Sequence, residues 1–460
     1  MHHLKKIISL LVVLAFLSDV PAVSAAEPMD EIRDLVKNYY VEDVPDSVLA
    51  KPTAKEITEQ LDPYSVYMSP EEFAQFSNSI DQQLVGVGIV LDEDVKGIKI
   101  ISVIQDGPAD RAGLKAGDII VSANGTSLVG QSTQTAVSVI SGEKDTTVTL
   151  TYISADSNQT MTKTIKRELI KLPNVEYKML GGDIGYVRLN SFALDSSKEI
   201  INAIQKLQGA KGWIFDLRNN GGGYVSAAQE IAGLFPKTEY AFQLRDKTKQ
   251  PEVYKAIPQK VHFTEPTHIL INGYSASASE MVSASVKEQK GATLYGQNSF
   301  GKGSMQTLFP LSDNSLLKLT TAHFFSPKGM PVHKLGVTPN VETPEGGELT
   351  ASHRDQLIAE FNGYQKMPAL KDVSTDKIFT VEMNMKMNWS DLKPDNVQLI
   401  QLGGNEVPVE VKVADEYKMT VVPKNKLQSK GKYMLVIHPK WTSQSTKKMQ
   451  TGIYLEVTVK

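Results

Sequence analysis

Between residues 183 and 288 short apolar runs alternate with amphipathic ones, and this alternation constrains the fold more than any other feature. DIGYVRL (183–189), GWIFDL (212–217) and HILIN (268–272) read as strands, the last two buried. Residues 196–207, 227–234 and 278–288 read as helices between and after them. Strands alternating with helices predict an α/β layered core.

The flanks have other characters. Before the core, 30–40 and 54–61 have helical spacing and Pro70-Glu71-Glu72 looks like a helix start, so 27–83 is expected to be a small helical segment. Residues 84–166 open on LVGVGIVLDED, continue through β-like runs at 98–104 and 146–152 with a helix at 133–140, and form one compact module. The core is assigned 167–370, with a further helix at 354–361. From 377 the pattern has period two: Phe379, Val381, Met383, Met385 and Met387 alternate with polar residues. Further β runs at 397–402, 407–413, 418–422, 433–437 and 454–459 predict an all-β sandwich over 371–460, its methionines core filler. At 460 residues the chain is too long for one core. The fold class is therefore multidomain α+β.

Residues 1–26 read as a signal peptide: His2, His3, Lys5 and Lys6, an apolar run at 7–17, then small residues ending at Ala25 or Ala26. The run is short for a membrane span, with an uncleaved anchor as the alternative, and an exported protein is expected. A net charge of −3 gives no argument for nucleic acid. Cysteine is absent, which excludes a thiol nucleophile, thiolate zinc sites and disulfides. The histidines form no metal-ligand spacing, so no metal or cofactor is expected.

Three stretches carry candidate chemistry. DLRNNGGG (216–223) ends a strand in a charged pair and a glycine turn whose amides can face an anion or supply an oxyanion hole; Asp216 and Arg218 suggest a strand-end salt bridge, with half of an acid/base pair as the alternative. It lacks the ending of a P-loop. FGKGSMQ (300–306) sets Lys302 between glycines; if buried it would lose its proton more readily and could deprotonate a serine, with the Gln306 amide orienting the amine. GYSASASEMV (273–282) places Ser275, Ser277 and Ser279 at a helix start, where Ser277 with Glu280 also fits a capping box. No G-x-S-x-G elbow surrounds Ser277, which disfavours an α/β hydrolase.

In order, LDPYSVYM (61–68), LVGVGIVL with GPADRAGLKAGDIIVSANG, DLRNNGGG, SASASE, FGKGSMQ and GVTPNVE (336–342) resemble the C-terminal processing peptidases, or tail-specific proteases, over about two thirds of the chain. The resemblance implies a serine endopeptidase with Ser277 as nucleophile, Lys302 as general base and Gln306 in support. It puts the oxyanion hole at the amides of Gly223 and Ala278. Ser275 and Ser279 are then expected to be small neighbours that leave room for substrate. The 84–166 module resembles a PDZ domain, with Leu84, Val85, Gly86, Val87, Gly88 and Ile89 capturing the C-terminal carboxylate of a protein or peptide substrate and the adjoining strand adding its tail by β-augmentation. Members can use this domain to gate the site and can dimerise through helical ends, here 30–40 and 354–361. The last segment resembles bacterial Ig-like domains, implying a cell-wall or protein partner, or a spacer. The rival reading is a binding or scaffold protein around a weakly active core.

Overall fold

The computed structural model describes residues 28–264 and 266–460, without the side chains of 391 and 394. The expected signal peptide lies outside these residues. The middle of the chain is a six-stranded sheet in the order Val175–Leu180, Ile184–Leu189, Gly212–Asp216, Thr267–Ile271, Thr293–Gly296, Val341–Glu342. Its first pair is antiparallel and the rest parallel. Gly212–Asp216 and Thr267–Ile271 are buried at every position because both faces are covered. Phe215 and Ile269 face the helices Ser196–Lys206, Val225–Ala232 and Ala278–Glu288. Their neighbours Ile214 and Leu270 turn to the other side and meet Leu357 and Phe361 together with Ile400, Leu402, Met434 and Val436.

That second cover joins two parts of the chain. Leu357 belongs to the helix Glu348–Glu360, whereas Ile400 and Met434 come from C-terminal strands Val397–Gln401 and Lys432–Ile437. The fully buried His353 fastens them: its Nε2 lies 2.8 Å from the Gly181 carbonyl and its Nδ1 accepts the Gly403 N–H at 2.8 Å. The 371–460 region is thus a structural layer on the core. It also has its own core, where its six-stranded and three-stranded sheets meet around Phe379, Leu399, Met419, Tyr433 and Trp441. The methionine alternation does not continue as a strand, which ends at Glu382; Met387 turns into this core and Met383 and Met385 pack against its edge.

A second sheet is built on the hairpin Ser304–Pro310 and Leu316–Phe325. The 27–83 segment, expected to be helical, adds the strand Val66–Met68 to its edge and seats Ile32 and Val36 of Met29–Tyr39 on Leu317 and Leu319. The apolar faces of Met29–Tyr39 and Glu348–Glu360 are therefore buried within the chain. Pro70–Ile80 follows, started by a capping box in which Ser69 and Glu72 accept each other's N–H.

The 84–166 module is a sheet in the order Ile89–Asp94, Gly97–Val103, Ile119–Ala123, Thr147–Ile153, Thr160–Lys166 around Ile98, Ile120, Val148 and Leu150. Ile89–Asp94 is an edge strand beside the helix Thr133–Ile140. Two strands, Gln83–Gly86 and Glu168–Lys171, pair antiparallel as its neck to the core.

Candidate active site

The three motifs meet because of strand order. DLRNNGGG leaves the carboxyl end of Gly212–Asp216, GYSASASE that of Thr267–Ile271, and FGKG follows Thr293–Gly296. These strands are neighbours and parallel, so the turns emerge side by side at the edge where open α/β sheets carry ligand sites.

Ser277 sits immediately before the helix Ala278–Glu288 with φ 57° and ψ −115°, a conformation that costs a non-glycine residue about 1–3 kcal/mol and persists only where its surroundings fix it. The flanking serines supply that fixing rather than space for a substrate. Ser275 donates its hydroxyl to Leu217 O (2.9 Å) and Ser279 to Asn220 O (2.9 Å), both fully buried, lashing this turn to the glycine turn. Gly222 closes against it: a Cβ there would lie 2.8 Å from Ser277 Cβ and 3.0 Å from Ala278 N.

Glu280, fully buried, connects the serine to the lysine loop. Its Oε2 accepts the N–H groups of Ser277 (2.8 Å) and Lys302 (2.9 Å), and its Oε1 accepts from the Ser299 hydroxyl (2.6 Å) and Gly301 N–H (2.6 Å). Burial holds its pKa above the ordinary value against the pull of these donors. The capping-box geometry expected at Ser277 thus reaches a second loop.

Ser277, Lys302 and Gln306 line one cleft with Gly221–Gly223, Phe76 and Lys318. Burial, reinforced by the charge of Lys318, lowers the Lys302 pKa to about 8, while Asp62 and Glu280 pull the other way. The ammonium lies 4.7 Å from the centre of the Tyr64 ring, a cation–π distance. Gln306 is re-aimed by a register shift after Met305, and its Nε2 is occupied by Ser304 Oγ (3.0 Å) and Thr320 Oγ1 (3.1 Å), so its Oε1 is the atom left for an amine.

At Gly223 the backbone ladder with Phe192 uses the Gly222 carbonyl (2.9 Å) and Tyr224 N–H (2.8 Å), which turns the Gly223 N–H the opposite way. The buried Asp216 and the part-buried Arg218 form an ion pair, joined by Tyr186 OH on Asp216 (2.7 Å) and Glu348 on Arg218 (2.9 Å). In the 84–166 module, Leu84, Val85 and Gly86 lie in the neck strand paired with Glu168–Lys171, Val87 is buried in the module core, Gly88 precedes the edge strand and Ile89 begins it. Sequence reasoning overlooked Tyr64, Glu280's second role and Lys318. Only LDPYSVYM, quoted as a block, carried a signal for the first.

Comparison with known proteins agrees with this architecture. Residues 183–343 match peptidase family S41 and residues 75–153 match the PDZ domain. Together with the cleft this defines a serine-type peptidase bearing a PDZ domain. The carboxy-terminal processing protease CtpA of Bacillus subtilis is 33% identical over 374 residues, covering 80% of this chain and 76% of that protein. A carboxy-terminal-processing protease of Bartonella bacilliformis is 34% identical over 319 residues, covering 68% and 73%. A solved photosystem II D1 C-terminal processing protease is 26% identical, with 68% of this chain and 92% of that chain covered at a TM-score of 0.45. The chain belongs to the carboxy-terminal processing proteases of family S41.

Proposed function

We propose that the protein is an exported endopeptidase that takes substrates by their C-terminal tails and cleaves them through an acyl-enzyme on Ser277. Neutral Lys302 removes the Ser277 hydroxyl proton as Oγ attacks the scissile carbonyl, and the same proton goes to the departing amine. Gln306 Oε1 orients the lysine amine. The amides of Gly223 and Ala278 receive the oxyanion, where the start of the helix Ala278–Glu288 favours developing negative charge. Water then resolves the ester.

The observation that carries this reading is the strained Ser277 in one cleft with a half-buried lysine whose pKa is lowered to about 8. Residues 84–166 act as the PDZ domain: the Gly86–Ile89 turn takes the tail's carboxylate, and the free edge of Ile89–Asp94 takes its backbone. Residues 27–83 and 167–370 form the peptidase body. Residues 371–460 form an Ig-like sandwich, and 1–26 direct export. The presence of both Ser277 and Lys302 weighs against a scaffold protein.

Intact-mass spectrometry during turnover of unfolded casein tests the reading. Acyl adducts should appear on the wild type and vanish in Ser277→Ala, and Lys302→Gln should abolish cleavage. Cleavage by pure Ser277→Ala protein would refute it.

A further inference from the structure

The cleft holds a second lysine that the chemistry above does not use. Lys318 lies on the hairpin strand Leu316–Phe325, opposite Leu308 and beside Val66. Leu317 and Leu319 on either side are fully buried on the opposite face, so Lys318 turns into the cleft with Leu308 and Gln306. Its ammonium rests 4.5 Å from the centre of the Phe76 ring, as that of Lys302 rests on Tyr64. Neither ammonium forms an ion pair among the described residues. The carboxylates near them are occupied by other donors: Glu280 by its four, and Asp62 by Tyr64 N–H (2.8 Å), Ser65 N–H (3.2 Å) and the Ser65 hydroxyl (2.6 Å). On the far side of the lysine loop His333 packs on Gly303, with His323 against it and Lys334 following.

A half-buried cation without a counter-ion is costly, and such groups concentrate at functional sites. Two ammoniums in one desolvated cleft repel, so the pair gives up its first proton more readily than either lysine alone would. We propose that Lys318 is a charge-setting residue of the cleft: it keeps its proton, and its positive charge drives Lys302 to release the proton that makes it the base. Desolvation and Lys318 are the two influences that lower the Lys302 pKa; burial lowers the pKa of Lys318 as well, and Asp62 is the charge that supports its ammonium. The inference rests on Lys302 being the base.

The test is the titration of Lys302 in the full chain, followed by NMR of ε-13C-lysine and assigned by loss of the signal in Lys302→Gln. In Lys318→Gln the Lys302 midpoint should move to higher pH, and the alkaline-rising limb of kcat/KM on fluorescein-labelled casein should move with it. Lys318→Arg, which retains the charge, should hold both near the wild-type position. Lys318→Met serves in place of the glutamine variant if that one unfolds. A Lys302 midpoint displaced by less than about 0.2 pH unit in the uncharged variant overturns the inference. Equal displacement in the arginine variant also overturns it, because lost packing would then be the cause. Undiminished cleavage by Lys302→Gln would instead sink the assignment of the base.

Discussion

Glu280→Gln should separate the geometry of the site from its individual groups. The carboxylate takes two donors on each oxygen. An amide placed with its NH2 toward Ser299 and Gly301 is the better rotamer, since a hydroxyl can turn round and accept. The Gly301 N–H cannot, and it is left unpaired in a buried place at a cost of about 1–3 kcal/mol. The remaining bonds lose their charge assistance, and charge-assisted bonds are roughly twice as strong as neutral ones. The combined loss is about 2–4 kcal/mol. If it falls on the alignment of Ser277 with Lys302, kcat drops about thirty- to thousand-fold, since each ~1.4 kcal/mol is tenfold. Glu280→Ala strands every donor at once and should approach the whole stability of a domain, about 5–15 kcal/mol, so little folded protein is expected. The measurements are kcat on labelled casein and the thermal midpoint of the same preparation. A glutamine variant with kcat within twofold of wild type and an unchanged midpoint would refute the view that Glu280 ties the two loops together.

Gly222→Ala should cut kcat by about a hundredfold or more while leaving the protein folded, because the new Cβ meets Ser277 Cβ at 2.8 Å with φ at 105°, and small displacements of reacting groups are that costly. Gly221→Ala, whose Cβ would meet nothing within 4 Å, is the comparison and should lose far less. The Lys302 limb should place the rise of kcat/KM near pH 8, with activity increasing as the amine loses its proton. Tyr64→Leu removes the ring that favours the ammonium and should move that limb to lower pH; a shift the other way would contradict the cation–π contact. His353 and His268 are held neutral by burial, each lowered to about 4, so an unfolded chain takes up protons that the folded chain refuses between about 6.5 and 4. Their stabilisation is full above that window and fades as pH falls through it, by up to about 3 kcal/mol each, and thermal midpoints from pH 7.5 to 4.5 should show a fall that His353→Gln flattens.

Elements whose cause is local were legible in the sequence. The helices Thr133–Ile140 and Ala278–Glu288 occur at the expected residues because periodicity and capping lie within the segment itself. Ser277, Lys302 and the glycine turn were legible for the same reason: each stands in a short motif whose backbone chemistry is set by its neighbours. Lys318 and Tyr64 were not. A cation resting on a ring has no required spacing, and the partners of Lys302 and Lys318 lie far back in the chain at Tyr64 and Phe76. The C-terminal layer was half legible. In KYMLVI (432–437) nearly every position is buried, and such a run signals a strand covered on both faces. It does not say by what. Tyr433 and Leu435 face the core between the two C-terminal sheets, whereas Met434 and Val436 face the six-stranded sheet in the middle of the chain, a division only the tertiary structure sets.

The cleft consequently has two walls of different origin. One is made of turns at the ends of three adjacent parallel strands, each lashed to the next by Ser275, Ser279 and Glu280, and it carries Ser277 and the Gly222–Gly223 amides. The other is the hairpin with Gln306 and Lys318, edged by Val66–Met68, and it brings Tyr64 and Phe76 over the two lysines. Lys302 stands between them: its N–H is fixed to the first wall through Glu280, and its ammonium rests on the second. A shift of the second wall would therefore move the amine while leaving the serine and the Gly222–Gly223 amides in place. The N-terminal segment, which reads in sequence as a small helical piece, thereby supplies the Tyr64 ring on which that amine rests and, in Asp62, a charge that favours its ammonium.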